Sequence, residues 1–245
     1  MWDKPGALNL IADALLVLAL IGALAAGVTW VVRLPSFPVR DVRVVTPLAH
    51  VTRQQVEDIV RREFRGTFFT LKIDVARTAF ETLPWVRRAE VRRRWPGRIE
   101  VALIEHAPLA RWGKTALVNS NGEVFEAAYD GALPVFNGPA GTAKEMAIQY
   151  HHFLRNLTAI SRTPGEVNVS LRRAWQIRLD DGMTLDLGRE HVEERLRRFV
   201  TTYAQTIARI PRKVDRVDLR YANGFAARVP GLQPAVTENR RKRGA

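Results

Sequence analysis

The side chains best suited to proton transfer or metal ligation are five histidines, His50, His106, His151, His152 and His191, and their spacing suits neither task. His151 and His152 are neighbours, so on a helix they point about 100° apart and cannot share a ligand. No serine sits in a G-x-S-x-G elbow, and no nucleophile has a base close in sequence. Gly182, Gly188 and Gly224 each fall where a turn accounts for them, which leaves no glycine loop to cradle a phosphate. Asp180-Asp181 and Glu193-Glu194 could pair as acid and base, but a solvated turn and a solvated helix face explain them equally. Cysteine is absent, which excludes disulfides and thiolate metal sites. The expectation is a protein without catalysis, cofactor or metal, one that works by binding.

The element that must position any binding surface is Ala14 to Val32, a charge-free run of nineteen residues. A hydrocarbon core about 30 Å thick takes about 20 apolar residues at a helical rise of 1.5 Å, so this run spans. A cleaved signal peptide is the competing reading. It needs a basic leader, an apolar stretch of about 7–15 residues and a small-residue cleavage site after it. Here Lys4 faces Asp3 and Asp13, the run is longer, and Ala23-Leu24-Ala25 lies inside it. An uncleaved anchor over 14–33 is expected, with 1–13 as a tail before it and Trp30 at the interface. Arg33, Arg40 and Arg43 follow the span, which by the positive-inside rule favours the opposite orientation, but large domains translocate largely regardless of charge.

Lys and Arg total 38 against 25 Asp and Glu, giving +13, and only six of the 38 are lysine. Such a charge suits nucleic acid or anionic lipid. The arginines are spread along the chain, however, which points to a compositional preference for arginine; the denser clusters are Arg92-Arg93-Arg94 and the tail Arg240-Arg241-Lys242-Arg243.

After the Pro-bracketed connector Leu34–Pro38, Val39–Val45 alternates as a strand. Thr52 and Gln55 form a capping box before a stripe of Val56, Ile59, Val60 and Phe64, and Gly66 closes that helix. Asp74 is expected to cap a second short helix carrying Val75, Phe80 and Leu83, which Pro84 stops. Val86–Trp95 and Arg98–Glu105 form a hairpin turning at Pro96-Gly97. The order is β-α-α-β-β. A second unit from Ala107 has hairpins at Asn121-Gly122 and Asp181-Gly182, since both dipeptides tolerate the positive φ of tight turns. Thr142 and Glu145 read as another capping box, Glu190–Ile210 as a long amphipathic helix, Val214–Tyr221 as a strand, and Phe225–Val229 as a last strand beyond a turn at Asn223-Gly224. Residues 230–245 are basic and expected to be disordered. The fold class is α+β.

Five segments then carry a resemblance. Leu83–Pro96 (LPWVRRAEVRRRWP) resembles the LPW signature of the FtsQ/DivIB bacterial cell-division family, and Glu105–Trp112 (EHAPLARW) its E-x-x-P-(I/L)-A-x-W segment. Val118–Phe125 is similar to its N-x-x-G hairpin, and Leu185–Arg189 and Val217–Tyr221 supply two further matches in the family order. The chain resembles the Gram-negative branch of that family more than the longer-tailed Gram-positive one.

The resemblance implies a cytoplasmic tail (1–13), a transmembrane helix (14–33), a polypeptide-transport-associated (POTRA) domain (34–106) and a mostly antiparallel β domain with flanking helices (107–229), both domains periplasmic. It implies a non-catalytic divisome scaffold of the inner membrane at the septum, binding the FtsB–FtsL pair, with an FtsB strand added to the C-terminal edge of the β domain. An edge strand offers unpaired backbone groups that a partner strand can satisfy. Carried over singly, the implied contacts are Arg172 (where Arg173 fits equally), Tyr221, Asn223, Gly224, Phe225 and Val229, the last two departing from the family's residue types. Three other classes compete. A transport-assembly component would show several POTRA units or a barrel, a nucleic-acid binder would show a basic face with interleaved aromatics, and a periplasmic enzyme would need a constellation that the residues do not supply.

Overall fold

A charge-free run rich in leucine and alanine leaves the backbone only its own hydrogen bonds to make, and it forms the larger part of α1 (Pro5–Val32). The computed structural model describes residues 5–32 and 37–231; the expected tail beyond residue 231, residues 1–4 and residue 33 lie outside them. Within α1, Asn9–Val31 is long and apolar enough to cross a membrane. Its large side chains from Leu10 to Val31 are exposed, with no protein surface to bury them. The chain divides into two compact units, Met1–His106 and Ala107–Ala245.

In the first unit the elements after α1 are β1 (Asp41–Val44), α2 (Arg53–Glu63), α3 (Ile73–Glu81), β2 (Val86–Arg94) and β3 (Arg98–Glu105), the β-α-α-β-β order read from the sequence. β3 lies in the centre, parallel to β1 (Val42↔Ile99) and antiparallel to β2 (Val91↔Val101). Alternation along β3 sends Ile99, Val101 and Leu103 to one face, where they meet Ile59 of α2 and Phe80 of α3. The Thr52–Gln55 capping box forms reciprocally. Asp74 does not cap: α3 starts two residues earlier than a cap there requires, after Lys72, and Asp74 stands in the first turn, where a negative charge meets the positive end of the helix dipole.

The second unit contains β4 (Pro108–Trp112), β5 (Ala116–Asn119), β6 (Val124–Phe125), β7 (Val135–Asn137), α4 (Ala143–Leu157), β8 (Pro164–Val169), β9 (Trp175–Leu179), β10 (Thr184–Gly188), α5 (Val192–Tyr203), β11 (Arg216–Asp218) and β12 (Ala226–Arg228). They form one sheet in the order β12-β11-β10-β9-β8-β7-β4-β5-β6, antiparallel except at β10–β11, β7–β8 and β4–β7. One register row, Phe136↔Val167↔Ile177↔Leu185↔Val217, is wholly buried, and its residues share a core with Met146, Phe153 and Leu157 of α4 and Leu196 and Phe199 of α5. The flanking rows carry polar side chains, among them Asn137, Asn168, Gln176, Asp186 and Asp218, on the opposite face.

Strands β4, β7 and β8 have no counterpart in the sequence reading. Each is short, and two open on a proline, which a strand accepts at its first position. Thr142 precedes α4 but does not box with Glu145: its hydroxyl donates to the Pro139 carbonyl, and Glu145 instead pairs with Arg173. The expected helix 190–210 is broken. α5 ends at Tyr203, and a 3-10 turn (Ile207–Arg209) returns Ile207 to the core. The last strands are also shorter than expected.

A candidate partner-binding edge

β11 leads through Val217-Asp218 into Leu219-Arg220-Tyr221, and alternation sorts these side chains. Val217 and Leu219 are fully buried, while Asp218 and Arg220 stand on the open face. The Arg220 guanidinium binds the Asp218 carboxylate through Nε and Nη2 at 2.9 and 2.6 Å, and this pairing holds Asp218 below the ordinary carboxylate range. One strand over, Asp186 receives a two-pronged bond from Arg216 and a 2.8 Å bond from Gln176. These pairs fix β9, β10 and β11 laterally on the open face, next to the sheet's last strand.

That strand is β12, joined to β11 in the register Val217↔Ala227. Among the described residues it has no neighbour on its other side, and Ala226, Ala227 and Arg228 are exposed. It therefore presents free backbone groups along a short edge. Arg228 closes a row of the open face (Arg178↔Thr184↔Arg216↔Arg228) and forms no ion pair among the described residues.

The turn from β11 to β12 is shaped by a residue that the sequence did not single out. Arg198, on α5, donates to the carbonyl oxygens of Ala222 and Tyr221 (the latter at 2.7 Å), with longer contacts of 3.5 Å to Leu219 and Gly224. A turn this tight cannot satisfy its own carbonyls, and one planar guanidinium gathers them. Only a helix passing behind the turn can supply such a group, so no local pattern signals it.

The sequence-derived residues are distributed unevenly on this frame. Tyr221 is 58% exposed, and Asn223 beside it is also exposed. Gly224 is half-buried. A Cβ there would meet nothing within 4 Å and its φ is not in the left-handed region, so the fold itself does not require glycine. Phe225 and Val229 turn inward: both pack on the core of the unit, and the Phe225 ring meets Phe199 edge-on at 6.0 Å. Arg172 lies in the β8–β9 turn. The registers Val169↔Trp175, Trp175↔Gly188 and Asp218↔Ala226 bring that turn to the same end of the sheet as Tyr221. Arg173 is engaged with Glu145, whereas Arg172 is exposed and has no ion pair among the described residues, which separates two arginines that the sequence left equal. A groove of about 530 Å³ on this end is lined by Leu171, Gln176, Asp186 and Arg220, among others. Among the described residues no cluster of three or more His, Asp or Glu is placed to hold a metal.

Residues 110–220 match the family model described as Cell division protein FtsQ/DivIB, C-terminal, and residues 37–106 match the POTRA domain, FtsQ-type. The chain is 45% identical to Cell division protein FtsQ of Nitrosospira multiformis, over 93% of this chain and 99% of that one. It is 40% identical to that of Burkholderia pseudomallei (95% and 96% covered) and 36% identical to that of Bordetella pertussis (96% and 95%). The chain belongs to the FtsQ/DivIB family. Its role is accordingly in cell division, as a protein of the divisome. The FtsQ-type model match identifies the β-α-α-β-β unit as a POTRA domain. The family's C-terminal match ends at residue 220, so Tyr221 and β12 lie just beyond it.

Proposed function

We propose that this FtsQ/DivIB member is a non-catalytic scaffold anchored by α1 in the inner membrane. Its N-terminus would be cytoplasmic, and the residues after the span periplasmic and concentrated at the septum. There it links early and late division proteins by binding the FtsB–FtsL pair, with a partner strand joining the free side of β12. The observation that carries this reading is the unpartnered edge of β12 beside an exposed tyrosine, on a sheet whose inner face is covered by α4 and α5. Backbone pairing supplies affinity in such a mode and side chains supply the choice of partner. Tyr221 and Asn223 flank the strand, Gly224 leaves room for close approach, and Arg172 stands at the same end of the sheet. Phe225 and Val229 contribute by holding β12 to the core from within.

Calorimetric titration of the full chain with a periplasmic FtsB peptide tests this. Tyr221→Ala is expected to weaken binding by about 1–2 kcal/mol, the size of a truncated interfacial aromatic. Gly224→Val, in contrast, should leave the melting temperature unchanged, because the site has open space, while still impairing the peptide's approach. Binding that neither substitution affects would move the site away from this edge.

A further inference from the structure

The β2–β3 hairpin tip carries an aromatic group that the scaffold reading does not use. Trp95 is 69% exposed and Phe69 41% exposed. Their ring centroids lie 6.3 Å apart, Phe69 meets Phe37 edge-on at 5.3 Å, and Phe68 beneath them is buried at 6.0 Å from Trp95. Three segments of sequence are tied together to make this patch. Phe68 N–H donates to the Phe37 carbonyl (2.8 Å), Arg40 N–H donates to the Gly97 carbonyl (2.8 Å), and Arg93 donates to the carbonyls of Phe68 and Leu71. The patch is thus rigid although it is exposed, and leaving large aromatic rings open to water serves no folding purpose.

Its place in the chain suggests what covers it. Phe37 follows the last residue of α1, Val32, by five residues, which reach at most about 17 Å when extended. The patch is therefore tethered within headgroup range of the point where α1 leaves the bilayer. Tryptophan and phenylalanine rings favour that interface, and cations beside them meet lipid phosphates. Arg40 borders the patch at Gly97, and Arg65 precedes Phe69 by four residues; both are exposed and form no ion pairs among the described residues, whereas Arg94 and Arg98 are paired with Glu100 and Asp41.

We infer that Trp95 and Phe69, with Arg40 and Arg65, form a docking surface for the anionic phospholipid interface, which holds the POTRA domain against the membrane that α1 enters. The inference goes beyond partner binding and depends only on α1 being in the bilayer.

The test uses the full chain with Trp2 and Trp30 replaced by Phe, reconstituted into phosphatidylethanolamine/phosphatidylglycerol vesicles whose phosphatidylglycerol is brominated near the headgroup. Tryptophan emission is expected to be quenched relative to unbrominated vesicles, and a further Trp95→Leu should remove most of that quenching. Arg40→Glu with Arg65→Glu, which alters no ring, should reduce it too, as should replacing the brominated phosphatidylglycerol with an equal amount of phosphatidylcholine brominated at the same position. Flotation with the vesicles verifies that α1 is inserted in every variant, so loss of the anchor is distinguished from loss of docking. Absence of quenching in the floated chain, or quenching that survives Trp95→Leu, would overturn the inference.

Discussion

Arg198→Ala is expected to lower the stability of the second unit by about 2–4 kcal/mol and to weaken partner binding about tenfold, as much as truncating Tyr221 on the edge itself. The guanidinium holds the carbonyls of Tyr221 and Ala222 directly and reaches those of Leu219 and Gly224. Each hydrogen bond from a charged donor contributes about 1.5–3 kcal/mol, and the substitution removes both close bonds at once, although water can reach the two exposed carbonyls. The buried Nε of Arg198 has no hydrogen-bond partner among the described residues, which offsets part of that gain and keeps the figure below the sum. Arg198→Lys retains the charge but not the planar fork, so it should restore only a fraction. Hydrogen exchange reads the effect locally: amides in 219–228 should exchange faster in Arg198→Ala while those of β8 and β9 change little. Unaltered exchange across 219–228 would show that the turn holds its shape without the arginine.

The second large effect lies in the POTRA domain. Glu105→Ala should cost about 2–3 kcal/mol of its stability, because one carboxylate organises the whole approach to α2. Its oxygens accept from the backbone N–H groups of Ala49, His50 and Val51, at 2.9 Å for Val51, and from the His50 ring. The His50 ring in turn stacks on Trp85 at 3.8 Å. Trp85 and Glu105 close the open end of the β2–β3 hairpin, where His106 N–H donates to the Trp85 carbonyl, so two signature residues of the family secure one loop. Burial pushes the Glu105 carboxyl up, but the N–H donors of Val51, His50 and Ala49 and the His50 ring outweigh it and hold the group below its ordinary range. A depressed carboxylate pKa contributes stability above the unfolded value, about 4.3, and that contribution is lost as the pH falls through the folded value. The stability difference between wild type and Glu105→Gln should accordingly be full at pH 6 and shrink below about pH 4. A difference that stays constant from pH 6 to pH 3, measured by chemical denaturation, would assign the effect to packing instead.

Much of this molecule could be read along the chain. Ala14–Val32 specified a membrane-length helix by composition alone, since no other conformation satisfies its backbone in lipid. Thr52 and Gln55 placed the start of α2, and Pro96-Gly97, Asn121-Gly122 and Asp181-Gly182 placed three turns, because caps and tight turns are set by interactions within a few residues. The motifs around Trp85, Glu105 and Val217–Tyr221 carried the family. What the chain order could not decide was everything that depends on a distant neighbour. β7, only three residues long, becomes a strand because β4 and β8 flank it on either side. Asp74 and Thr142 were free to cap by local rules, yet α3 started before one, and the Pro139 carbonyl took the hydroxyl of the other. That Phe225 meets Phe199 of α5 and Val229 packs on the core was decided by elements far along the chain, and Arg172 parted from Arg173 only when Glu145 came near the latter. Arg198 had no local signature at all. Local hydrogen bonds and periodicity thus fixed the elements, whereas tertiary packing selected which of their side chains remain free to meet a partner.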